Sequence, residues 1–350
     1  MRSKGEENVG VNPKINNLVT PFQRANYDIV WVLDSNVHVQ PGTLAHSVET
    51  LTRVYSDPSA QPNIMRSQFR PRIGVVHHVP FARVYGAKNS LGSRVEAAFL
   101  NTNHAKMYIA INRLVLDSCV MGKSNMYRRS DIAHLTGLPS SRNQYKCQKT
   151  APNGEAELPC YPPGVVTGLP AFADYLAEDN MIASSMMHEL GLLHDMSCDV
   201  AINGIGEMSF FDYVERRVRW IRVRRHMVLS ATIIEPFTEC LALCLIGMFS
   251  VGTVFRIPPL IFAVTHIAAW LSVDLGVYAA LAGSPLPTSE WWSFIGAWAI
   301  REVAAFPIWV MGVVGDEVTW RGVQYIMLRN GRVRRRDKLE IDYTMIPSDV

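Results

Sequence analysis

Two adjacent carboxylates, Glu178 and Asp179, lie in the stretch YLAEDN. Such a pair on a helix is most often part of a solvated face. Here, however, apolar side chains that include Met181 and Ile182 surround the pair, and an apolar environment raises the pKa of a carboxyl group. A carboxylate with a raised pKa is available as a general base. The stretch therefore predicts a base for proton abstraction.

An arginine cluster, RRVRW, follows further along the chain. On a helix Arg216, Arg219 and Trp220 occupy positions i, i+3 and i+4, so two guanidiniums and an indole share one face. Guanidiniums bind phosphate through paired hydrogen bonds, and the indole offers a flat apolar wall. The cluster therefore predicts a phosphate-binding face. The alternative interpretation is a basic interfacial helix whose Trp220 and Ile221 lie in a lipid headgroup layer.

A third candidate, Asp34, ends the apolar run from Ile29 to Leu33. A short run of this kind is typical of a strand buried on both faces of a parallel sheet. In open α/β sheets ligands gather at the carboxyl ends of the strands, where Asp34 would lie. Residues 41–55 then show helical apolar spacing with a proline at the start. This βα pattern favours an α/β fold.

The elements that follow alternate in the same way. Strands are predicted at 72–81 and, with a turn, at 118–129, and helices at 91–112, 170–190 and 210–228. The segment 138–165 is rich in Pro, Gly, Ser and Asn, which is typical of a mobile insertion.

The composition changes after residue 228, and residues 229–315 are dominated by apolar side chains. Three segments stand out, at 240–255, 260–281 and 291–314. A bilayer core about 30 Å thick needs about 20 residues per helix, so the first is marginal unless it extends back toward Ile233. Polar residues in such segments normally face protein or water. The block predicts membrane insertion, and a buried soluble helical domain is the alternative.

The net charge of the chain is uninformative, whereas the positions of its basic residues are informative. The chain has 34 Lys+Arg against 31 Asp+Glu, a net charge of +3, which implies no global polyanionic partner. Basic clusters flank the apolar block, at 216–225 and 329–338, which suits anionic lipid headgroups or the cytosolic side of a membrane. Three spans would place these clusters on opposite sides, so one segment is expected to be re-entrant or interfacial, or the tail lumenal. A nucleic-acid binder is not expected, because the basic runs lack interleaved aromatic residues beyond Trp220.

The six cysteines form no CxxC pair or Cys/His quartet, so a structural zinc site is not expected. Cys147 and Cys160 share a Pro-rich loop, and whether they pair stays open.

The order of these motifs resembles the ceramide glucosyltransferases of the family 2 glycosyltransferase group. The shared pattern is Asp34 in WVLDSN, Asp179 in LAED, and Arg216 to Trp220 in RRVRW, ahead of membrane helices. Further stretches that fit are GVNPKINNL, GVVHHVPF, NTNHAKMYIAIN, FADYLAED, ATIIEPFTEC, REVAAFPIW and TWRGVQY. The resemblance covers nearly the whole chain apart from loops at 56–72 and 138–165.

The resemblance implies transfer of glucose from UDP-glucose to the primary hydroxyl of ceramide, with inversion. It implies an α/β domain of GT-A type, Rossmann-like and cytosolic, at 1–228, transmembrane or membrane-associated helices at 229–315 and a basic tail at 316–350. The protein would be a multi-pass protein of the Golgi or ER membrane, and whether it forms an oligomer stays open.

The resemblance also assigns roles to single residues. Asp179 would be the base, and Glu178 would belong to the substrate-binding pair. Arg216 and Arg219 would bind the diphosphate, and Trp220 would form a wall of the acceptor site. His77 would lie near the active site. Asp34, with Asn36 as a weak ligand, would hold a Mg or Mn ion at the leaving diphosphate.

Two departures from the family pattern qualify this assignment. The metal motif reads Asp34-Ser35-Asn36 and lacks a second carboxylate. The sequence also begins close to GVNPKINNL, whereas the family carries a membrane helix, nucleotide-binding strands and a uridine-contacting aspartate before that point. The expectation is a domain that is incomplete at its N-terminus and binds UDP-glucose poorly as given.

Two other functions stay open. The chain could be another membrane glycosyltransferase of family 2, such as a synthase of a polysaccharide or of a lipid-linked sugar. It could also be a truncated, catalytically inactive paralogue that binds lipid or acts as a scaffold.

Overall fold

The structure, a computed structural model, describes residues 8–53, 72–86, 90–114, 119–138 and 164–337. The chain divides into two compact units, Met1–Val79 with Tyr108–Ala201, and Pro80–Met107 with Ile202–Val350. This division does not follow the change of composition at residue 228. The predicted insertion at 138–165 and the pair Cys147 and Cys160 lie almost entirely outside the described residues.

The elements are numbered in chain order. The strands are β1 (Ile29–Leu33), β2 (Val37–His38), β3 (Ile73–Val84), β4 (Ser124–Arg128), β5 (Leu193–Ile205), β6 (Glu317–Trp320), β7 (Val323–Met327) and β8 (Val333–Arg335). The helices are α1 (Pro13–Arg24), α2 (Thr43–Thr52), α3 (Leu91–Phe99), α4 (Ala105–Leu114), α5 (Arg129–Ile132), α6 (Glu178–Leu190), α7 (Phe210–Met227), α8 (Leu229–Ile234), α9 (Cys240–Phe255), α10 (Pro259–Ala282) and α11 (Trp291–Val313).

The first unit is built on a five-stranded sheet with the order β1-β4-β3-β5-β2. Both β1 and β3 pair with β4 in antiparallel orientation. The best-covered strand is β3, in which the residues from Ile73 to Ala82 are all buried. Its Ile73 and Val76 pack with Leu51 of α2 and Met126 of β4 in the core of this unit. This core fixes the sheet whose terminal strand, β1, leads into Asp34.

The expectation that β1 is buried on both faces of a parallel sheet was wrong. The strand is half-buried, Leu33 is 40% exposed, and its described partner β4 runs antiparallel. The reason is position, since β1 is the terminal strand in the described order. An edge strand has a neighbour on one side only, and its apolar run alone does not show this.

Most predicted helices were confirmed, with one exception. The segment 41–55 contains α2, and 91–112 contains α3, a π-helical turn at Leu100–His104 and most of α4. The segment 210–228 is α7, which starts at a capping box formed by Ser209 and Asp212. The helix predicted at 170–190 begins only at Glu178, because a 3-10 turn at Leu169–Phe172, which contains Pro170, precedes it. Neither α1 nor β5 was predicted.

The second unit contains helices apolar enough to cross a membrane. Among the described residues two helical stretches meet this description by length and composition, Pro259–Ala282 and Thr288–Val313. The pair Leu229–Thr238 and Cys240–Phe255 meets it jointly but is bent by 65° at its junction, as in a broken span or a re-entrant loop. Both outcomes agree with the prediction for the apolar block. After α11 an antiparallel three-stranded sheet, β6-β7-β8, occupies part of the segment predicted as a basic tail.

Candidate active site

Asp34 lies immediately after β1, as predicted, and both of its carboxylate oxygens contact lysines. Lys14 Nζ lies 3.1 Å from Oδ1, and Lys123 Nζ donates to Oδ2 at 2.9 Å. The backbone N–H of Asp34 donates to the carbonyl of Lys123 at 3.1 Å. Although burial alone would raise it, the two ammonium groups hold the pKa of Asp34 below its usual 3.8. The carboxylate is therefore charged and already neutralised by cationic side chains.

Glu178 and Asp179 form the first turn of α6, where negative charge is favoured by the helix dipole. Glu178 is 6% exposed. Its Oε2 accepts a hydrogen bond from Asn12 Nδ2 at 2.8 Å, and its Oε1 lies 3.2 Å from Lys14 Nζ. This buried carboxylate is thus paired on both oxygens and is positioned rather than free to react.

Asp179 has the pKa of a potential base. Burial and then the adjacent charge of Glu178 raise the pKa of Asp179 from 3.8 to about 7. The charge of Lys14 and the N–H groups of Asn180 and Gly122 oppose this rise. A carboxyl group that titrates near neutral pH is well matched to accepting a proton during catalysis. The raised pKa expected from the sequence is therefore present at Asp179.

Lys14 joins the candidate residues of the first unit into one cluster. Besides Asp34 and Glu178, its Nζ donates to the carbonyl oxygen of Gly122 at 2.7 Å. Although burial alone would lower it, the carboxylates Glu178, Asp179 and Asp34 raise the pKa of Lys14 well above its usual value. The lysine is therefore a permanent positive charge at the centre of three carboxylates.

The start of α1 holds this lysine in place. The side chain of Asn12 caps the helix by accepting from the Lys14 N–H at 2.8 Å, and Pro13 occupies the first helical position. The same Asn12 is fully buried and donates to the Tyr175 carbonyl at 2.7 Å as well as to Glu178. One residue thus fixes both the helix that carries Lys14 and the turn before α6.

Gly122 lies where no side chain fits. A Cβ at this position would lie 2.6 Å from Lys14 Nζ and 2.7 Å from Asp179 Oδ2. A cavity of about 20 Å³ nearby is lined by both of these residues, which is the room of about one water molecule. The backbone of residues 122 and 123 therefore approaches the carboxylates closely and sets their spacing.

His77 lies in β3 and is fully buried. Its Nδ1 is 2.6 Å from the hydroxyl of Tyr108, and its Nε2 is 3.3 Å from Nδ1 of His194. Burial, with lesser contributions from the neighbouring histidines, lowers the pKa of His77 well below 6.5, so the imidazole is neutral. The Tyr108 hydroxyl also accepts from the N–H of Met121 at 3.4 Å. His77 thus supports the 121–123 loop through Tyr108, which makes it a positioning residue in this unit.

The motif RRVRW lies on α7 in the second unit. Arg216 Nε is 3.0 Å from an oxygen of Glu96, a carboxylate that is fully buried. Its guanidinium also lies 5.0 Å from the centre of the Trp220 ring. Arg217 pairs with Glu235 at 3.2 Å and lies 3.6 Å over the Phe99 ring. These two arginines therefore have structural carboxylate partners.

Arg219 differs from its two neighbours. No described residue forms a hydrogen bond or ion pair with its guanidinium, which is half-buried. Burial, and then the positive charge of Arg216, lower the pKa of Arg219, so an anion would stabilise the charged group. Within the motif, Arg219 is thus the guanidinium best suited to a phosphate. The structure brings Asp34, Asn36, His77, Glu178 and Asp179 into the first unit, and places Arg216, Arg219 and Trp220 in the second.

The predicted metal ligands do not offer a cation an open donor set. Asp34 supplies the one carboxylate of the motif, and its oxygens face Lys14 and Lys123. Asn36 Oδ1 accepts a long hydrogen bond of 3.4 Å from Lys123. A divalent ion prefers several oxygen ligands, mostly carboxylates, without ammonium groups between them. In the arrangement described, these residues do not fit such an ion.

Four residues of the site were not predicted from the sequence: Asn12, Lys14, Gly122 and Lys123. The available signal was the stretch GVNPKINNL, which contributed to the family resemblance but received no role. A lysine directly after an Asn-Pro helix start is a cation at a defined position. The sequence alone gives no indication that this position lies beside residue 178.

Comparisons with known proteins agree with the motifs. The profile of glycosyl transferase family 21 matches residues 3–144 and 165–333. A ceramide glucosyltransferase of Komagataella phaffii is 33% identical over 91% of this chain and 68% of its own length. One of Candida albicans is 30% identical over 91% of this chain and 71% of its own length, and ceramide glucosyltransferase 1 of Caenorhabditis elegans is 21% identical over 94% and 59%. Because this profile matches most of the chain, the chain belongs to glycosyl transferase family 21.

Proposed function

We propose that this chain transfers glucose from UDP-glucose to the primary hydroxyl of ceramide, with inversion at the anomeric carbon. The observation that carries the proposal is Asp179, a carboxyl group whose pKa burial and Glu178 raise to about 7. The names of the fungal relatives supply the substrate class. A carboxyl group with a pKa near neutral pH is suited to accept the proton of an alcohol during its attack.

The proposed reaction needs one proton transfer and one displacement. An oxygen of Asp179 accepts the proton of the ceramide hydroxyl while the hydroxyl oxygen forms a bond to the anomeric carbon. The bond from that carbon to the β-phosphate oxygen breaks, and UDP leaves with the electron pair. Attack opposite to the leaving group inverts the configuration. Arg219 binds the diphosphate, and Trp220 contributes an apolar wall for the acceptor.

Lys14 and Glu178 act on the base rather than on the substrate. The charge of Glu178 helps to keep the pKa of Asp179 high, and Lys14 limits that rise. Because Asn12 and Gly122 hold both groups, the pKa of Asp179 depends on the geometry of α1 and of the 121–123 loop. Mg or Mn at Asp34 and Asn36 is not part of the proposed reaction, because in this arrangement the two residues contact lysines and do not fit such an ion.

The wider architecture is part of the proposal. A GT-A fold anchored in a membrane is supported by the family assignment, the sheet of the first unit and the apolar helices α10 and α11. The multi-pass topology, the cytosolic face and the Golgi or ER membrane come from the family resemblance alone. Such an anchor suits an acceptor that stays in the bilayer.

The experiment that tests the function is a turnover assay. The full chain in detergent or in phosphatidylcholine nanodiscs is incubated with UDP-glucose and ceramide, and the product is analysed by mass spectrometry and by NMR of the anomeric proton. A β-linked monoglucosylated ceramide supports the proposal. A polymeric product or a different glucosylated lipid indicates another synthase, and no turnover, also in a form extended at the N-terminus, contradicts the proposal.

A further inference from the structure

A large cavity lies within the second unit, among helices that are candidates for membrane insertion. Its volume is about 470 Å³, within the range of small-molecule sites, about 300 to 1,000 Å³. Most of its lining is apolar and comes from α9, α11 and the 3-10 turn Glu235–Thr238. Apolar lining residues such as Leu245, Val303 and Phe306 are largely exposed, so one side of the cavity is open to whatever surrounds these helices.

A group of charged side chains lies at the inner side of this cavity. Arg301 and Glu302, in α11, are 1% and 3% exposed and contact each other. Arg301 also donates to Glu239 Oε2 at 2.8 Å. Glu239 and a further lining carboxylate, Glu235, are nearly fully buried as well.

Two atoms of this group are left without a partner. Among the described residues, neither Nε of Arg301 nor Oε2 of Glu302 makes a hydrogen bond. Both oxygens of Glu239 and of Glu235, in contrast, are engaged by neighbouring side chains. A buried polar atom without a hydrogen bond costs free energy. One unused donor and one unused acceptor therefore belong to two side chains that line a mostly apolar cavity.

A break in the hydrogen bonding of α11 adds an acceptor. Pro307 lies inside this helix and lines the cavity. Because proline has no N–H, it cannot donate to the carbonyl of Val303, four residues earlier, which also lines the cavity. In an apolar environment such a carbonyl needs another donor.

We propose that this cavity binds the ceramide acceptor, with an acyl or sphingoid chain between α9 and α11 and its amide and secondary hydroxyl groups at Arg301 and Glu302, so that the primary hydroxyl stays free for glucosylation. The proposal rests on the proposed function for the identity of the lipid and adds where it binds. The amide carbonyl or a hydroxyl oxygen of the lipid accepts from Arg301 Nε, and its N–H or O–H donates to Glu302 Oε2. An aliphatic chain alone would leave both atoms unpaired.

The charges of the lining favour a neutral lipid. Arg217 and Arg301 lie against Glu235, Glu239 and Glu302, so the lining has no excess positive charge. When Arg224, which also pairs with Glu235, is included, the arginines only equal the glutamates in number. An anionic phospholipid headgroup would bring an unpaired negative charge to buried carboxylates, which is unfavourable. Ceramide carries no charge and has both donors and acceptors.

Photolabelling locates the lipid without depending on turnover. The full chain in phosphatidylcholine nanodiscs is irradiated with a ceramide that carries a diazirine in its acyl chain and, separately, with one that carries it in its sphingoid chain. UDP-glucose is absent, and labelled peptides are mapped by mass spectrometry. We expect labelling in α9 and α11 that excess ceramide suppresses and phosphatidylserine does not. Labelling elsewhere, or labelling suppressed equally by both lipids, overturns the proposal.

Variants that fill the cavity provide a second test of the proposal. Ala305→Phe places a ring in the lining, and Ala299→Phe places the same ring on an exposed position of the same helix outside it. Labelling by ceramide should fall at least about tenfold in the first variant, as for a steric change in an apolar pocket, and stay unchanged in the second. Glu302→Gln, nearly isosteric, should retain folding and weaken labelling. Equal labelling of Ala305→Phe and Ala299→Phe overturns the proposal.

The two proposals fail in different ways. If the wild-type chain is labelled in α9 and α11 but neither it nor the extended form of the turnover assay converts ceramide, the cavity binds the lipid and the proposed function is wrong. If it converts ceramide while Ala305→Phe keeps the wild-type KM for ceramide, the function stands and the cavity proposal is wrong. Should Ala305→Phe fail to fold, Ala242→Phe in α9 and the map of labelled wild-type peptides decide.

Discussion

The ammonium group of Lys14 lies 3.1 Å from a carboxylate oxygen of Asp34, at the position where the sequence predicts a divalent cation. The same Nζ lies 3.2 Å from Glu178, so one lysine links the end of β1 to the first turn of α6. Lys123 contacts the other oxygen of Asp34. Two lysine side chains thus neutralise the carboxylate that was predicted to hold the metal ion at the leaving diphosphate.

Removing one of these cations should strengthen metal binding. Lys123→Met takes away an ammonium group 2.9 Å from Asp34 Oδ2. A nearby positive charge opposes a divalent ion by about 1 kcal/mol or more even in a water-like environment, so the variant should bind Mn²⁺ at least about fivefold more tightly. Titration followed by electron paramagnetic resonance of free Mn²⁺ measures this. Lys123→Arg, which keeps the charge, is the matched control.

The same titration bears on the metal prediction itself. If Asp34→Asn abolishes the Mn²⁺ site in Lys123→Met, Asp34 is a ligand. Equal Mn²⁺ affinity in the wild type, Lys123→Met and Asp34→Asn would place any metal away from Asp34.

Asp179→Asn should remove the base and little else. General base catalysis contributes about 10² to 10⁴ in rate, and a loss of this size with unchanged membrane association is expected. In the wild type kcat should fall with decreasing pH, with an apparent pKa of about 7, because only the carboxylate accepts a proton. Near-normal turnover by Asp179→Asn, measured by release of UDP, would rule out this residue as the base.

The stability of the same variant tests whether the charged carboxylate of Asp179 destabilises the folded protein. Since the pKa of Asp179 is raised from 3.8 to about 7 by folding, its stabilising contribution is present below about pH 4 and is lost as the pH rises through about 7. Asp179→Asn does not titrate, so its melting temperature should exceed that of the wild type at pH 8 and lose this advantage near pH 4. A variant less stable than the wild type at pH 8 would show that the charged carboxylate stabilises the fold.

The features that the sequence predicted correctly are local. The helices α2 and α7 show their apolar spacing or charged pattern within one segment, and the apolar stretches of α10 and α11 are long enough to recognise directly. The position of Asp34 directly after a strand was predicted because an apolar run ends there. Each of these inferences needs only neighbours in the chain.

The features that the sequence missed depend on distant contacts. Asn12 and Glu178 are 166 positions apart, and the cation beside Asp34 comes from α1 rather than from solvent. The antiparallel pairing of β1 with β4 joins residues that are 91 to 99 positions apart, from Leu33–Ser124 to Ile29–Arg128. No periodicity in the sequence reports such pairings, since they depend on which strands share a sheet. The partner of Arg216 is hidden for the same reason, because Glu96 lies on another helix.

Gly122→Ala should disturb the site without unfolding the protein. The added Cβ would meet Lys14 Nζ at 2.6 Å and Asp179 Oδ2 at 2.7 Å, so at least one of these groups must move. We expect kcat to fall by about tenfold or more, since small displacements of catalytic groups cost rate steeply, and the apparent pKa in the pH profile to shift. Gly206→Ala, whose Cβ would meet nothing within 4 Å, is the control. Equal activity of the two variants would show that the 121–123 loop does not set the position of Asp179.

In RRVRW we expect Arg216 to have a structural role and Arg219 to bind the diphosphate. Arg216→Ala leaves the fully buried carboxylate of Glu96 without its ion pair. Removal of one partner of a buried pair costs about 3 to 5 kcal/mol, and because Arg216 is 24% exposed a value at or below the lower end is expected. The loss should appear as a lower melting temperature, and the double variant Arg216→Gln with Glu96→Gln should recover part of it.

Arg219→Ala should leave the melting temperature nearly unchanged, because no described residue pairs with its guanidinium. If Arg219 binds the diphosphate, KM for UDP-glucose should rise by about tenfold or more, as expected for a charge-assisted hydrogen bond of about 1.5 to 3 kcal/mol, with KM for ceramide little changed. Trp220→Ala should show the opposite preference, since an apolar wall contacts the lipid. Equal and small effects of Arg219→Ala and Trp220→Ala on both KM values, with loss of binding to anionic vesicles in each, would instead identify α7 as a basic interfacial helix.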